Sequence, residues 1–288
     1  MRDLKNVLLC TTAAVSLASA ASAADIPVRK APPKAIVAAP VTATWTGCYI
    51  GGHGGGGWGR KEFTNVVIFR EAPGLITPNE APIANETVDT DGWLGGVQGG
   101  CDYQFHPNWL VGIEGTFAWS NLKGSTTRTP FDPFLVGKTT SPGTLTLEAQ
   151  TESLASLIGK FGLVQNNWML YGLVGIAWAR DKYHAFGTFD LEGGVVGSID
   201  VSATENRTGL VAGAGLATLF GPNVSGFVEY NYFDFGGNRV AQTGTVDAGF
   251  TTGTAALTAD IDQRIHVVKA GLNWRFGGFG KAPVVAKY

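Results

Sequence analysis

Few side chains in this 288-residue sequence have the type and spacing that chemistry needs. The run Gly52–Gly57 contains G-x-G-x-x-G, but no helix of a βαβ unit follows it, which argues against a dinucleotide site. No G-x-S-x-G occurs. The four histidines lack the spacing of metal ligands and lie on different predicted segments: His53, His106, His184 and His266. We therefore expect no enzyme, no cofactor and no metal site. A lipid-modifying enzyme with His53 or His184 at a rim is the enzymatic alternative.

The cysteines offer disulfide chemistry. Residues 1–23 have the positive start, apolar stretch and Ala-Ser-Ala ending of a secretory signal peptide. Its cleavage removes Cys10 and exports Cys48 and Cys101 to an oxidising compartment, where a disulfide persists. Both lie near the same end of two adjacent predicted strands, so we predict that they form a cross-strand disulfide. Two lipid-facing free thiols are the alternative.

The elements that position these residues are predicted to be strands, because apolar residues recur with period two. Eight segments show this alternation: 45–59, 90–105, 109–122, 148–164, 168–183, 205–220, 224–236 and 260–276. Three short turns (106–108, 165–167 and 221–223) alternate with four long connections (60–89, 123–147, 184–204 and 237–259). This predicts an all-β fold, an eight-stranded antiparallel up-and-down transmembrane β-barrel with both termini on the short-turn side.

The eight tryptophans support a barrel that crosses a membrane. Trp109/Trp119 and Trp168/Trp178 are ten residues apart, and ten residues of a strand tilted by ~40° cover ~25 Å of bilayer. That is the height of an apolar band edged by aromatic side chains. Trp45 and Trp58 are out of phase, because thirteen is odd, and we expect a bulge in the intervening glycine run to restore the phase.

Composition excludes other classes. With 44% hydrophobic residues the chain is not of the disordered class, and its 41 glycines have no collagen period. Only 15% of residues are charged, and without a basic patch no nucleic-acid partner is expected. The predicted organisation is a signal peptide (1–23), a Pro/Ala-rich periplasmic linker (24–44), the barrel (45–276) and a periplasmic tail (277–288).

Six charged residues are predicted to face the barrel lumen. Three are acidic and three are basic: Asp102, Glu114, Glu229, Lys160, Lys269 and Arg275. Unpaired charges are costly in a low-dielectric interior, so we expect ion pairs across the lumen. An eight-stranded barrel is just wide enough for side chains to fill. This favours a plugged lumen over a wide channel.

Three motifs resemble those of the alphaproteobacterial outer-membrane immunogenic protein family, small porin-like barrels of the OmpA-type β-barrel superfamily. They are W-T-G-C-Y-I-G-G at 45–52, F-V-E-Y-N-Y-F-D-F-G at 227–236 and V-V-K-A-G-L-N-W-R-F at 267–276. Cys48 stands where the family usually has Phe, and Asn231 where it usually has Arg. The resemblance covers nearly the whole mature chain. It implies an integral protein of the outer membrane.

The last predicted strand resembles the signal read by the barrel-assembly machinery, through Lys269, Gly271, Trp274 and Phe276, although twelve residues follow it. The resemblance implies a role in envelope integrity and surface display. The alternatives are a narrow porin for ions or small solutes, and an adhesin that contacts a host through its long loops. Expected partners are outer-membrane lipid, lipopolysaccharide and the assembly machinery. The basic linkers could touch peptidoglycan, and a homo-oligomer through lipid-facing surfaces is compatible with the sequence.

Overall fold

A computed structural model describes residues 44–71, 81–83, 85–131, 143–191, 195–249 and 251–277. The predicted signal peptide and nearly all of the predicted linker and tail lie outside these ranges. Among the described residues, no helix is both long and apolar enough to span a bilayer.

Eight long antiparallel strands form a closed ring. Each pairs with its sequence neighbour, and the first pairs with the last, from Cys48↔Phe276 to Glu71↔Thr254. A short strand, β2, pairs with the far end of β1. The strands are β1 (Gly47–Glu71), β2 (Ala81–Ile83), β3 (Glu86–His106), β4 (Trp109–Phe131), β5 (Gly143–Gln165), β6 (Trp168–Leu191), β7 (Val195–Leu219), β8 (Val224–Asp247) and β9 (Thr252–Phe276). The predicted eight-stranded up-and-down barrel is therefore confirmed.

The strands are much longer than predicted. The three short turns lie where the sequence places them, but the predicted long connections are mostly strand. At ~3.3 Å per residue, a tilted strand of 24 residues reaches ~60 Å, about twice the thickness of a bilayer core. The prediction of four long loops was wrong because the alternation there is between Thr or charged residues and aliphatic ones, as in Thr144–Ala149.

Each long strand has two parts. The apolar band runs from the short-turn end to the level of Trp58, Trp93, Trp119 and Trp178. Among the described residues, every exposed large hydrophobic side chain except Phe186 and Val196 belongs to it. The extension is the remainder: 60–71, 86–91, 121–131, 143–152, 180–191, 195–206, 236–247 and 252–264. Its inward side chains form an apolar core that includes Phe63, Leu147, Phe189, Ile199 and Leu257.

The predicted bulge in the glycine run is absent. From Gly47 to Phe63, β1 pairs with β3 without a register shift. Trp45 consequently faces the opposite side from Trp58 and lies 1% exposed in the lumen. The prediction failed because it assumed that every tryptophan belongs to the interface with lipid.

The wall is interrupted between β7 and β8. Their ladder runs to Ser202↔Thr243 on one side and resumes at Leu210↔Asp234 on the other. Between these pairs, residues 203–209 of β7 and 235–242 of β8 are not paired with each other. Over the same stretches β7 stays paired with β6 and, apart from a bulge at Phe235, β8 stays paired with β9. We call this gap the split.

Candidate functional site: the filled lumen

The six predicted lumen charges meet inside the band as three acid–base pairs. Lys160 Nζ lies 2.9 Å from Glu114 Oε2, and Arg275 Nη2 lies 3.0 Å from Asp102 Oδ2. Lys269 Nζ lies 2.8 Å from Glu229 Oε1. All six side chains are buried. They come from five strands, β3, β4, β5, β8 and β9, so the ion pairs connect these strands through the lumen.

Aromatic side chains complete this network. Tyr49 donates to Glu114, and Tyr171 donates to Glu229 Oε2 at 2.8 Å. The Lys160 ammonium donates to the Tyr49 hydroxyl and lies 4.7 Å from the centre of that ring. The Arg275 guanidinium donates to the Trp45 carbonyl and lies 5.2 Å from the Trp45 ring centre. Cation–π contacts of this kind favour a buried cation by ~2 kcal/mol when it is desolvated.

Little space remains among these side chains. The cavity that they line is about 10 Å³, roughly the room needed by one water molecule. Three acids match three bases, so the layer is close to electrically neutral. At this level the lumen is a packed interior whose charges are paired, although Trp45 Nε1 and Glu114 Oε1 have no hydrogen-bond partner among the described residues.

A second charged layer lies higher, where the extension begins. Lys61 Nζ is 2.7 Å from Asp181 Oδ1, and both side chains are 0% exposed. Thr151 and Gln263 also donate to Asp181. Arg207 Nε lies 3.9 Å from Asp181 Oδ2. Burial lowers the pKa of the Lys61 ammonium, while Asp181 acts in the opposite direction. Two cations therefore share one close acid.

The sequence reasoning missed this second layer and the two tyrosines of the first. Lys61 lies in a segment predicted to be a loop, and no sequence motif includes Asp181 or Arg207. The alternation of inward and outward side chains along each strand could have found Lys61 and Asp181. Lys61 follows Gly57 and Gly59 on the inward face of β1, and Asp181 follows Ala177 and Ala179 on that of β6.

Cys48 and Cys101 are joined by a disulfide. They are opposite each other in the register between β1 and β3. Cys101 faces outward, near the short-turn end of the band. The bond thus links two adjacent strands on the lipid-facing side.

The four residues of the predicted assembly signal lie at the short-turn end of β9. Trp274 and Phe276 face outward and are exposed, while Lys269 faces the lumen. Gly271 also faces inward, where an added Cβ would lie 2.7 Å from the Phe227 ring. The same Cβ would lie 2.5 Å from the Gly52 carbonyl oxygen, so that position accepts no side chain without a shift of the backbone.

A closed ring of strands with an apolar outer band, an aromatic edge and a filled lumen is a transmembrane β-barrel. Closure pairs most backbone groups of the wall without water, as a bilayer core requires, and the split between β7 and β8 is the largest interruption among the described strands. The chain belongs to the outer-membrane protein β-barrel domain family, whose model matches residues 10–276. It is a protein of the outer membrane and crosses it with eight strands.

Curated relatives support this assignment. The chain is 28% identical over 279 residues to the 31 kDa outer-membrane immunogenic protein of Brucella melitensis, covering 95% of this chain and 100% of that protein. It is 26% identical over 250 residues to the 25 kDa outer-membrane immunogenic protein of Brucella ovis, covering 87% and 99%. The family resemblance seen in the motifs is confirmed.

Among solved structures, the chain matches Ail, the attachment invasion locus protein of Yersinia pestis. The identity is 16% and the TM-score 0.28, over 78% of this chain and 99% of that chain. The match to the outer membrane protease OmpT from Escherichia coli has 10% identity and a TM-score of 0.45, over 81% and 98%.

Proposed function

We propose that this protein is a closed barrel that strengthens the cell envelope and displays its extension as a surface antigen. The observation that carries the proposal is the filled lumen. Two layers of paired charges and two apolar clusters occupy the interior from the short-turn end to the extension. A barrel built this way resists deformation and passes no solute. The relatives' description as immunogenic outer-membrane proteins supports surface display.

In the proposed orientation the short turns and both termini are periplasmic. The extension then projects from the cell surface, and the aromatic edge at Trp58 and Trp178 lies in the lipopolysaccharide leaflet. The barrel-assembly machinery would recognise the short-turn end of β9. Contact of the basic linkers with peptidoglycan remains part of the proposal, as does self-association through the band.

A planar-bilayer measurement on the purified protein tests the closed lumen. We expect no steady channels at protein amounts where a known porin conducts. Steady single-channel steps would favour the porin alternative instead. A matched variant, Lys160→Ala with Glu114→Ala, removes one central pair. It should admit water and raise the conductance above that of the wild type.

Cysteine labelling of intact cells tests the orientation. Val196→Cys lies on the exposed face of the extension, and Asn167→Cys lies in a short turn. A membrane-impermeant maleimide should label Val196→Cys on intact cells and Asn167→Cys only after lysis. The reverse pattern would invert the orientation and remove the proposed display role.

A contact role with host surfaces is the second candidate, and the shape of the extension favours it. The protein would meet a partner with the walls of the extension, where Thr, Ser and charged side chains face outward. Loss of cell attachment on deleting 60–71 and 252–264 would not distinguish this role from misfolding. Binding of the purified intact barrel to host cells is therefore the informative assay.

A further inference from the structure

The outer wall of the extension carries a groove of about 550 Å³ across β4, β5 and β6. Gln150 lies at its centre, opposite Lys123 on one side and Lys182 on the other. Gln150 is half-buried and its Nε2 donates to Asn121 at 3.4 Å, below the two longer lysines. The outward side chains that line the groove are all polar: Lys123, Ser125, Glu148, Gln150, Lys182 and His184. A volume of this size suits a small molecule or the head group of a lipid.

The groove lies just above the aromatic edge of the band. Lys123 is four residues beyond Trp119, and Lys182 is four residues beyond Trp178. Four residues of a strand tilted by ~40° rise ~10 Å. Aromatic edges lie at the level of the lipid head groups. The groove therefore faces the phosphates and sugars that a leaflet carries outside its acyl chains.

Cations outnumber acids at the lower end of the groove. Arg180 and Lys182 share one acid, Glu152, at 3.3 Å and 2.6 Å. Lys123 is exposed and has no carboxylate within 4 Å among the described residues. Three cations thus surround one acid beside the lipid. An added phosphate would balance the excess positive charge.

The upper end of the groove offers hydrogen-bonding groups instead. His184 lies between the carboxylates of Glu148 and Asp200, at 3.5 Å and 3.1 Å. Carboxylates accept hydrogen bonds from hydroxyl groups, which sugars supply in number. A cationic lower end and an accepting upper end together match a sugar that carries a phosphate on the side of the lipid.

The opposite wall has the reverse charge balance at the same height. Its outward charged residues just above Trp58 and Trp93 are two arginines and four acids: Arg60, Arg264, Glu62, Asp89, Asp91 and Asp262. An anionic head group is therefore favoured on one side of the barrel only.

We infer that the groove binds the phosphorylated sugar head group of a glycolipid in the surrounding outer leaflet. The phosphate bonds to Lys123 and Lys182, and the sugar hydroxyls bond to Gln150 and Glu148. An ammonium has three donors, so Lys182 keeps its contact with Glu152 while it binds phosphate. The acyl chains lie along the band below. The inference rests on the proposed orientation, in which the extension projects from the cell surface.

Native mass spectrometry of the purified full-length protein tests this site, with diphosphoryl lipid A as the probe. We expect one lipid A to remain bound per barrel. Lys123→Gln with Lys182→Gln should weaken the affinity about tenfold or more, because each lysine makes a charge-assisted contact with the phosphate. Lipid A without its phosphates should bind the wild type more weakly by a similar factor.

The matched control, Arg60→Gln with Arg264→Gln, removes two cations at the same height on the opposite wall. It should change the affinity by less than about twofold. All four side chains are on the outer wall, and heat-modifiable gel mobility verifies that both variants fold. Three results would each overturn the inference: unchanged affinity in the lysine variant, an equal loss in the control, or equal affinity for dephosphorylated lipid A. Displacement of lipid A by an equal concentration of glucosamine 1-phosphate would overturn the lipid as the source of the head group.

Failure of the site and failure of the proposed function are distinguishable. Inverted cysteine labelling on cells, with lipid A still bound by the purified protein, refutes the display role and not the preference of the groove for a phosphorylated head group. The expected labelling without lipid A binding refutes the groove alone.

Discussion

The band and the extension are built from the same eight strands, but their outward faces meet different surroundings. In the band, aliphatic and aromatic side chains face outward, and the interior holds paired charges and tyrosines beside an apolar cluster. In the extension, Thr and charged residues face outward, and Phe63, Leu147 and Ile199 pack inside. The period of two specifies a strand in both regions. The type of the outward residues instead indicates the surroundings, which are lipid around the band and water around the extension.

The largest expected loss of stability comes from breaking the buried Lys61–Asp181 pair of the extension. Asp181→Ala leaves Lys61 and Arg207 without their shared acid, and should lower the free energy of unfolding by ~3–5 kcal/mol. Chemical unfolding in detergent, followed by tryptophan fluorescence, measures this loss. Limited proteolysis should show earlier cleavage in the extension than in the band. A change below ~1 kcal/mol would mean that the upper layer is not a closed interior.

A matched substitution in the band sharpens the comparison. Glu229→Ala leaves Lys269 unpaired and removes the acceptor of Tyr171 and Asn231. We expect a loss of ~3 kcal/mol in the same unfolding experiment. Glu229→Gln keeps the hydrogen-bond geometry and should recover part of it. An unchanged stability in Glu229→Ala would argue against a cooperative lumen network.

Two valines test the outward faces directly. Val174, midway along the band of β6, is 65% exposed, and Val196, in the extension of β7, is 60% exposed. Val174→Arg places a charge in lipid and should cost ~2 kcal/mol. Val196→Arg meets water and should change stability by less than ~0.5 kcal/mol. Equal effects in lipid vesicles would contradict the assignment of the two regions.

The smallest expected effect lies on the outer wall of the extension. Glu152 pairs with Arg180 and Lys182 at 3.3 Å and 2.6 Å, but the two cations are more than half exposed. Glu152→Ala should therefore cost less than ~1 kcal/mol. Added salt should have little further effect on the variant. A loss as large as that of Glu229→Ala would show that water does not screen this wall.

The sequence was sufficient to predict the fold and one of the two charged layers in the lumen. Alternation, three short turns and paired tryptophans predicted the ring, and strand phase placed Lys160, Glu229 and Lys269 on the inward face. It failed for the extension, because Thr-rich segments match the composition of loops even when they alternate. It also failed for the split and for Arg207, since a gap between neighbouring strands depends on register over several residues and leaves no mark in either strand alone.

The disulfide has a topological consequence. Cys48 and Cys101 are separated by 53 positions, and the chain between them leaves the short-turn end along β1 and returns along β3. That part of the polypeptide is a covalent ring that reaches the far end of the extension. One cut by a protease anywhere in the ring opens it without releasing a fragment. A cut in any of the other three connections at the far end divides the chain, so electrophoresis of digested cells without reductant distinguishes the first hairpin from the rest.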